Sequence, residues 1–297
     1  MNVLIVGAGA LGKCFASILA DQALVVVYER NTVSHRALMK GWFSFKEKRR
    51  TQKVNIRTVM SLYELQSKRI DVLIFATKVM DLRKAVEEAG GLKPHCVFLP
   101  QNGISDISWV KRTFKEANIC RGVTTMACQE TGPNQAALYY RGNMYVGGDG
   151  AVMVANLFRK CGVKVKTYRD PSGPVWAKLI FSAVMNPLPV ITEKGYDILR
   201  SDRDVWKLVK QAIEEGRAVA RALGVRLAFD PMQIIDRVRN GDLTGIEHRG
   251  SIVHDMRAGR STELDFITGA LIRQARKVGV KTPALDFILM KAKLAGA

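Results

Sequence analysis

A short apolar run, Asn2–Val6, ends in Gly7-Ala8-Gly9-Ala10-Leu11-Gly12 and passes directly into a stretch of helical periodicity. A strand, a loop with glycines at these three positions, and a helix leave few folds open. The first glycine permits a tight turn, the second lets the backbone approach a pyrophosphate, and the third lets helix and strand pack closely. The helix N-terminus then offers free N–H groups and the positive end of its dipole to an anion. Gly7, Ala8, Gly9, Ala10, Leu11 and Gly12 are therefore candidate contacts for a dinucleotide.

The rest of the first half fits that start. Apolar runs at Leu24–Tyr28, Val54–Thr58, Asp71–Ala76, Cys96–Pro100 and Ile119–Met126 alternate with helical material at 11–22 and 80–89. This pattern predicts an α/β fold with a Rossmann-type doubly wound parallel sheet. Residues 137–145 alternate loosely, 152–161 read as a helix, and 163–167 as a short strand. After the breaker Asp170-Pro171-Ser172-Gly173-Pro174 helical patterns dominate, the clearest at 175–185, 205–223, 231–238 and 264–278. Two domains are expected: a dinucleotide-binding domain over 1–168 and a mostly α-helical substrate domain over 169–297.

Charge bears on the choice of partner. The net charge is +19, and residues 1–169 hold 26 basic against 12 acidic side chains. A phosphate-rich ligand suits that bias, although one dinucleotide does not need so many charges. The densest run, Lys46-Glu47-Lys48-Arg49-Arg50, reads as a solvated loop or hairpin, and nucleic acid is not expected as a partner. The five cysteines are scattered without a Cys-x-x-Cys pair, which predicts reduced core thiols. The four histidines show no metal spacing. No apolar run approaches the length of a membrane span, and Met1 leads straight into the first strand, so a cytoplasmic protein is expected.

Tyr28-Glu29-Arg30 closes the second run, with Glu29 twenty residues beyond Gly9. An acidic side chain there accepts hydrogen bonds from ribose hydroxyls and repels a 2′-phosphate, whereas an arginine accommodates that phosphate. Glu29 turned inward selects NADH, and Arg30 turned inward selects NADPH. Each residue also fits a solvated loop charge.

Further along, Lys178, Ser182 and Asn186 recur at i, i+4 and i+8, a polar stripe on an otherwise apolar helix. An ammonium with two hydrogen-bonding groups on one face suits reduction of a ketone, which needs a proton donor at the nascent alkoxide and groups to hold the substrate. The same pattern fits a helix with a solvated edge. Lys78 and Asn102 follow consecutive strands at the carboxyl edge, where doubly wound sheets bind ligands, although Asn102-Gly103 is also an ordinary turn dipeptide.

Ala76-Thr77-Lys78, Pro100-Gln101-Asn102-Gly103, Trp176-Ala177-Lys178-Leu179 with Asn186-Pro187-Leu188, and Ser261-Thr262-Glu263-Leu264-Asp265 occur in this order across nearly the whole chain. In these motifs the sequence resembles the ketopantoate reductases (2-dehydropantoate 2-reductases). The resemblance implies reduction of the C2 ketone of ketopantoate to pantoate, on the route to pantothenate and coenzyme A. It implies Lys178 as general acid, Glu263 as the carboxylate that completes the catalytic site and touches the cofactor, and Asn186 and Ser251 as substrate contacts. Lys78, Asn102 and Cys128 match cofactor contacts. Glu263 also fits a capping box around the Ser261/Thr262 helix start. The sequence departs from the family at Ser182, where asparagine is usual, and at Tyr196, near another family asparagine. The family and the basic field favour NADPH, while Glu29 admits NADH. Beyond its small-molecule substrate, a second copy of the chain is the partner expected. Two rivals stand beside this reading: a reductase of another branched 2-oxo acid on the same scaffold, and a non-catalytic dinucleotide-binding redox sensor, against which Lys178 and Glu263 argue.

Overall fold

The structure, a computed structural model, describes residues 1–30, 32–104, 106–241, 250–257 and 259–297, without the side chains of Thr32, Gly250, Ser251, His254 and Arg257. Its chain divides into two compact units, one of residues 1–101 and 105–171, the other of residues 102–104 and 172–297.

Among the described residues the first unit holds twelve strands: β1 (Asn2–Val6), β2 (Leu24–Tyr28), β3 (Trp42–Glu47), β4 (Arg50–Asn55), β5 (Arg57–Val59), β6 (Ile70–Phe75), β7 (Pro94–Leu99), β8 (Asn118–Thr124), β9 (Ala127–Gly132), β10 (Gln135–Tyr140), β11 (Asn143–Gly147) and β12 (Lys164–Tyr168). Eight of them form one sheet in the order β12-β11-β8-β7-β6-β1-β2-β5. From β5 to β8 every pairing is parallel, and β11 runs antiparallel to β8. The six parallel strands follow the doubly wound order, with β1 at the reversal point.

The period of two explains why the strands read as continuous apolar runs. Val3, Ile5, Val25, Val27, Val72 and Ile74 enter one core, which also takes Phe15 of the helix Ala10–Leu19 and Phe158 of the helix Ala151–Lys160. Leu4, Val6, Leu73, Phe75 and Val97 enter the other, with Leu82 and Val86 of the helix Leu82–Glu88. Both faces are covered, so no strand needs a polar side.

A second sheet, in the order β4-β3-β10-β9, departs from the sequence reading. The expected strand Val54–Thr58 is cut at Ile56: Val54 belongs to the β3–β4 hairpin of this sheet, and Thr58 to the edge strand β5 of the large one. Lys48, with φ of 54°, turns the hairpin, so the basic run is a hairpin tip. The run at 119–126 likewise ends its strand at Thr124, and the alternation at 137–145 divides at Gly142, whose φ is 51°. Phe43, Phe45, Ala136 and Leu138 pack into the same core as the first helix. Lys13, only 2% exposed on that helix, forms an ion pair with Glu130 of β9.

The second unit is helical. Its core gathers Leu179, Ile180, Ala183 and Val184 from the helix Ser172–Met185, Val209 and Ile213 from Arg203–Ala222, Leu271 and Ile272 from Leu264–Lys277, and Leu285 and Ile288 from Pro283–Leu294. Local capping sets the helix starts. Asp202 accepts from the N–H groups of Asp204 (2.9 Å) and Val205 (3.0 Å), and Asp230 from that of Met232 (2.8 Å). The buried Glu215 caps Pro283–Leu294 from another helix, taking the N–H groups of Ala284 and Leu285 at 2.9 Å each.

By length and composition alone the segment Ser172–Thr192 is apolar enough to cross a membrane. Most of it is buried inside the helical unit, the behaviour of a core helix.

Candidate functional site

In the first unit, register brings three loops to one edge. Val6 pairs with Tyr28 on one side and with Phe75 on the other, so Gly7, Glu29 and Ala76 emerge together beyond the carboxyl ends of β1, β2 and β6. Gly7 has a φ of 100°, and its N–H donates to the Tyr28 carbonyl at 2.9 Å. Gly12 is required for packing, since a Cβ there would stand 1.9 Å from the Gly7 carbonyl oxygen. Gly9 is the opposite case: it caps the helix Ala10–Leu19, and a Cβ there would meet nothing within 4 Å. A loop with close contact behind Gly12 and open space before Gly9 has the shape to take a pyrophosphate, which the helix N-terminus would face.

Neighbouring groups adjoin this loop. The Ala8 N–H donates to Glu29 Oε2 at 2.7 Å, so the Glu29 carboxylate lies against the glycine loop. Arg30 instead reaches Asp81 (2.8 Å) and Glu88 (3.4 Å). Thr77 Oγ1 is buried without a hydrogen-bond partner among the described residues, on a side chain whose methyl lies 3.2 Å from the Cβ position of Gly7. Lys78 precedes the short turn Val79–Asp81. The buried Gln101 side-chain amide donates to the carbonyl of Phe75, and to that of Thr77 at 3.4 Å, pinning the loop that carries Thr77 and Lys78. These residues fit a nicotinamide dinucleotide: the glycine loop, Glu29, Thr77 and Lys78 would hold it.

Cys128 is half-buried on β9, and its thiol hydrogen-bonds that of Cys14 on the first helix, which together with burial holds the Cys14 thiol well above its ordinary range. Burial also pushes Cys96 up to about 12. Burial of this kind disfavours the thiolate at Cys14 and Cys96, as expected of core cysteines.

In the second unit Lys178 is half-buried, its Nζ 4.7 Å from the Phe181 ring centroid. Burial disfavours the ammonium and lowers its pKa from 10.5 to about 8. Among the described residues no carboxylate pairs with it. Ser182, one turn on, is fully buried with its hydroxyl unpartnered among the described residues. Asn186 lies just past the end of the helix, and its N–H closes onto the Ser182 carbonyl at 3.1 Å, which keeps the stripe in register. The Thr268 hydroxyl donates to the Ala183 carbonyl at 2.9 Å and ties the helix Leu264–Lys277 to the lysine's helix. Glu263, half-buried, is the residue immediately before Leu264–Lys277 and so holds the N-cap position, not the third helical position a capping-box glutamate takes. Asn102 goes with this unit, in a loop whose Gly103 has a φ of 93° and whose Cβ position is 2.7 Å from the Phe266 carbonyl oxygen. Tyr196 is half-buried against the helical core, and burial raises its phenol. Ser251 lies on the helix Gly250–Arg257, but its side chain, like all of His248, is outside the described residues.

Sequence reasoning did not assign roles to Thr77, Gln101, Asp81, Glu88 or Thr268. Thr77 and Gln101 stand inside quoted motifs beside assigned residues, which was the available signal.

Comparison with known proteins identifies the scaffold. The family described as Ketopantoate reductase PanE/ApbA matches residues 3–149, and its C-terminal counterpart matches residues 172–295. Among curated relatives, the 2-dehydropantoate 2-reductase of Archaeoglobus fulgidus is 25% identical over 94% of this chain and 92% of its own length. That of Streptococcus pyogenes serotype M6 is 27% identical over 95% and 94%. Among solved structures, a PanE/ApbA family ketopantoate reductase from Ralstonia eutropha is 26% identical, with a TM-score of 0.86 over 99% of this chain and 98% of that one. A D-mandelate dehydrogenase solved with NADH and anilino(oxo)acetate reaches a TM-score of 0.87 over 99% and 98%, at 22% identity, and bears on the fold alone. With both family matches together spanning nearly the whole sequence, this chain belongs to the ketopantoate reductase family of oxidoreductases.

Proposed function

We propose that the protein reduces 2-dehydropantoate to pantoate at the expense of a nicotinamide dinucleotide, in the cytoplasmic synthesis of pantothenate and coenzyme A. The observation that carries the reading is Lys178, half-buried on an apolar helix with its pKa lowered to about 8. A bound nicotinamide supplies the hydride that adds to the C2 carbonyl carbon. Lys178 then does two things. Its ammonium stabilises the negative charge that develops on the carbonyl oxygen, and it gives that oxygen a proton. With a pKa of about 8 the side chain is roughly nine-tenths protonated at pH 7 and gives up its proton more readily than a solvated lysine. The neutral amine left behind regains its proton from water.

Asn186, Ser182 and Ser251 hold the substrate, and Glu263 positions the hydroxyl being formed. Ser182 is fully enclosed, its hydroxyl unpaired by any described residue, so it meets a substrate only once its neighbours part. A second reading, in which the substrate is a different branched 2-oxo acid, is favoured by the same residue: serine is shorter than the usual asparagine and leaves a different space, as does Tyr196. On the nucleotide, the resemblance points to NADPH and the Glu29 contact with Ala8 points to NADH.

Steady-state rates on a panel of 2-oxo acids, each with NADH and NADPH, test the reading. Lys178→Ala should lose about 10²–10⁴ in kcat while nucleotide affinity is unchanged. Parental activity in Lys178→Ala would exclude its role as the acid, and a better substrate than 2-dehydropantoate would replace the first reading with the second.

A further inference from the structure

We infer that Asp81 and Glu88 are specificity-determining residues: by holding Arg30 they withdraw a guanidinium that would otherwise receive a 2′-phosphate, and they leave the choice to Glu29, which selects NADH. This rests on the reading that the glycine loop binds a dinucleotide.

Glu29 and Arg30 are consecutive residues at the end of β2, and their side chains go separate ways. Glu29 turns to the loop itself, where its carboxylate takes the Ala8 N–H at 2.7 Å. Arg30 turns to the segment that follows β6. Its Nη2 lies 2.8 Å from Asp81 Oδ1 and its Nη1 3.4 Å from Glu88 Oε1. Glu88 is itself fixed, since the Tyr28 hydroxyl donates to its Oε2 at 3.1 Å. Burial and the Glu88 carboxylate raise the Tyr28 phenol, which keeps it a donor. The arrangement is thus a network of four side chains rather than a chance surface pair.

Its charge points the same way. Two carboxylates, Asp81 and Glu88, hold the one guanidinium, and a third, Glu29, lies against the glycine loop. A 2′-phosphate, close to doubly charged at neutral pH, meets repulsion from Glu29 and must compete with Asp81 and Glu88 for an arginine already engaged. Two ribose hydroxyls meet a carboxylate acceptor instead.

The test is direct binding of NADH and NADPH to the full chain, by calorimetry at fixed ionic strength. Four proteins are compared: parent, Asp81→Asn with Glu88→Gln, that pair with Arg30→Ala added, and Asp81→Asn alone as the mildest change. The parent should bind NADH at least tenfold more tightly than NADPH. Because exposed ion pairs are weak singly, the double variant should gain about fivefold to tenfold in NADPH affinity with NADH little changed, Asp81→Asn about half that on a logarithmic scale, and Arg30→Ala should abolish the gain. A parent that prefers NADPH, a double variant without the gain, or a gain that survives Arg30→Ala would overturn the proposal. If neither nucleotide bound the folded parent, the dinucleotide reading itself would fail.

Discussion

Adding one methyl group to the glycine loop should have opposite consequences at two positions three residues apart. At Gly12 a Cβ would stand 1.9 Å from the Gly7 carbonyl oxygen, where ordinary contact needs about 3.4 Å, so roughly 1.5 Å must open between helix and strand. Gly7 cannot yield easily, since its N–H is bonded to Tyr28 and its φ is 100°. Overpacking of this kind costs about 3 kcal/mol, against which alanine in a helix returns about 1 kcal/mol. A net loss of about 2 kcal/mol lowers Tm by roughly 4–8 °C in a unit of this size. At Gly9 the backbone is in the ordinary extended region, φ −71° and ψ −167°, and a Cβ would meet nothing. Gly9→Ala should therefore hold Tm within about 1–2 °C. The same methyl fills the space a pyrophosphate needs, and a misfit costing about 1–3 kcal/mol raises Kd by about 5–150-fold. Thermal denaturation without nucleotide, followed by titration with NADH, separates the two effects. A Gly12→Ala protein with parental Tm, or a Gly9→Ala protein with parental Kd, would refute the assignment of these glycines.

Other outcomes follow from single contacts. Lys178 must be protonated to act as the acid, and its pKa is lowered from 10.5 to about 8, so the reduction rate should be level at low pH and fall about tenfold per unit above pH 8. A profile flat to pH 10 would show that another group delivers the proton. Glu215→Ala strands two buried N–H groups of the helix Pro283–Leu294 and should cost about 3 kcal/mol in urea denaturation, with Glu215→Gln costing less; a loss under about 1 kcal/mol would count against this cap. Asp202→Ala removes the cap of Arg203–Ala222 and should cost about 1 kcal/mol by the same assay, and a change of a few tenths would mean that water replaces it.

What could be read in advance was what short-range chemistry dictates. The glycine loop declares itself because its spacing is a local requirement, and β1, β2, β6 and β7 because burial on both faces leaves unbroken apolar runs. The second sheet did not show, since β4 buries only Val54 among Arg50, Thr51, Gln52, Lys53 and Asn55, and β9 is half-exposed throughout. Such strands exist through their partners. At the site, the spacing of Lys178, Ser182 and Asn186 was visible, but the complete burial of Ser182 depends on neighbouring helices and was not. Gln101 was invisible as a clamp because its acceptors lie 24 and 26 residues back, and the hold of Asp81 and Glu88 on Arg30 spans 51 and 58 residues.

The parallel pairing of β3 with β10 sets Phe45 opposite Ala136, about ninety positions apart in the chain. During synthesis at 5–20 residues per second the hairpin waits roughly 5–20 s for that partner. Until then Phe43 and Phe45 lie on an unclosed β edge, a template for other nascent chains. Lys46, Lys48, Arg49 and Arg50 crowd the tip of that same hairpin. Charge beside an apolar strand is how sequences discourage such encounters, and the densest basic run in the protein stands where it would have that effect.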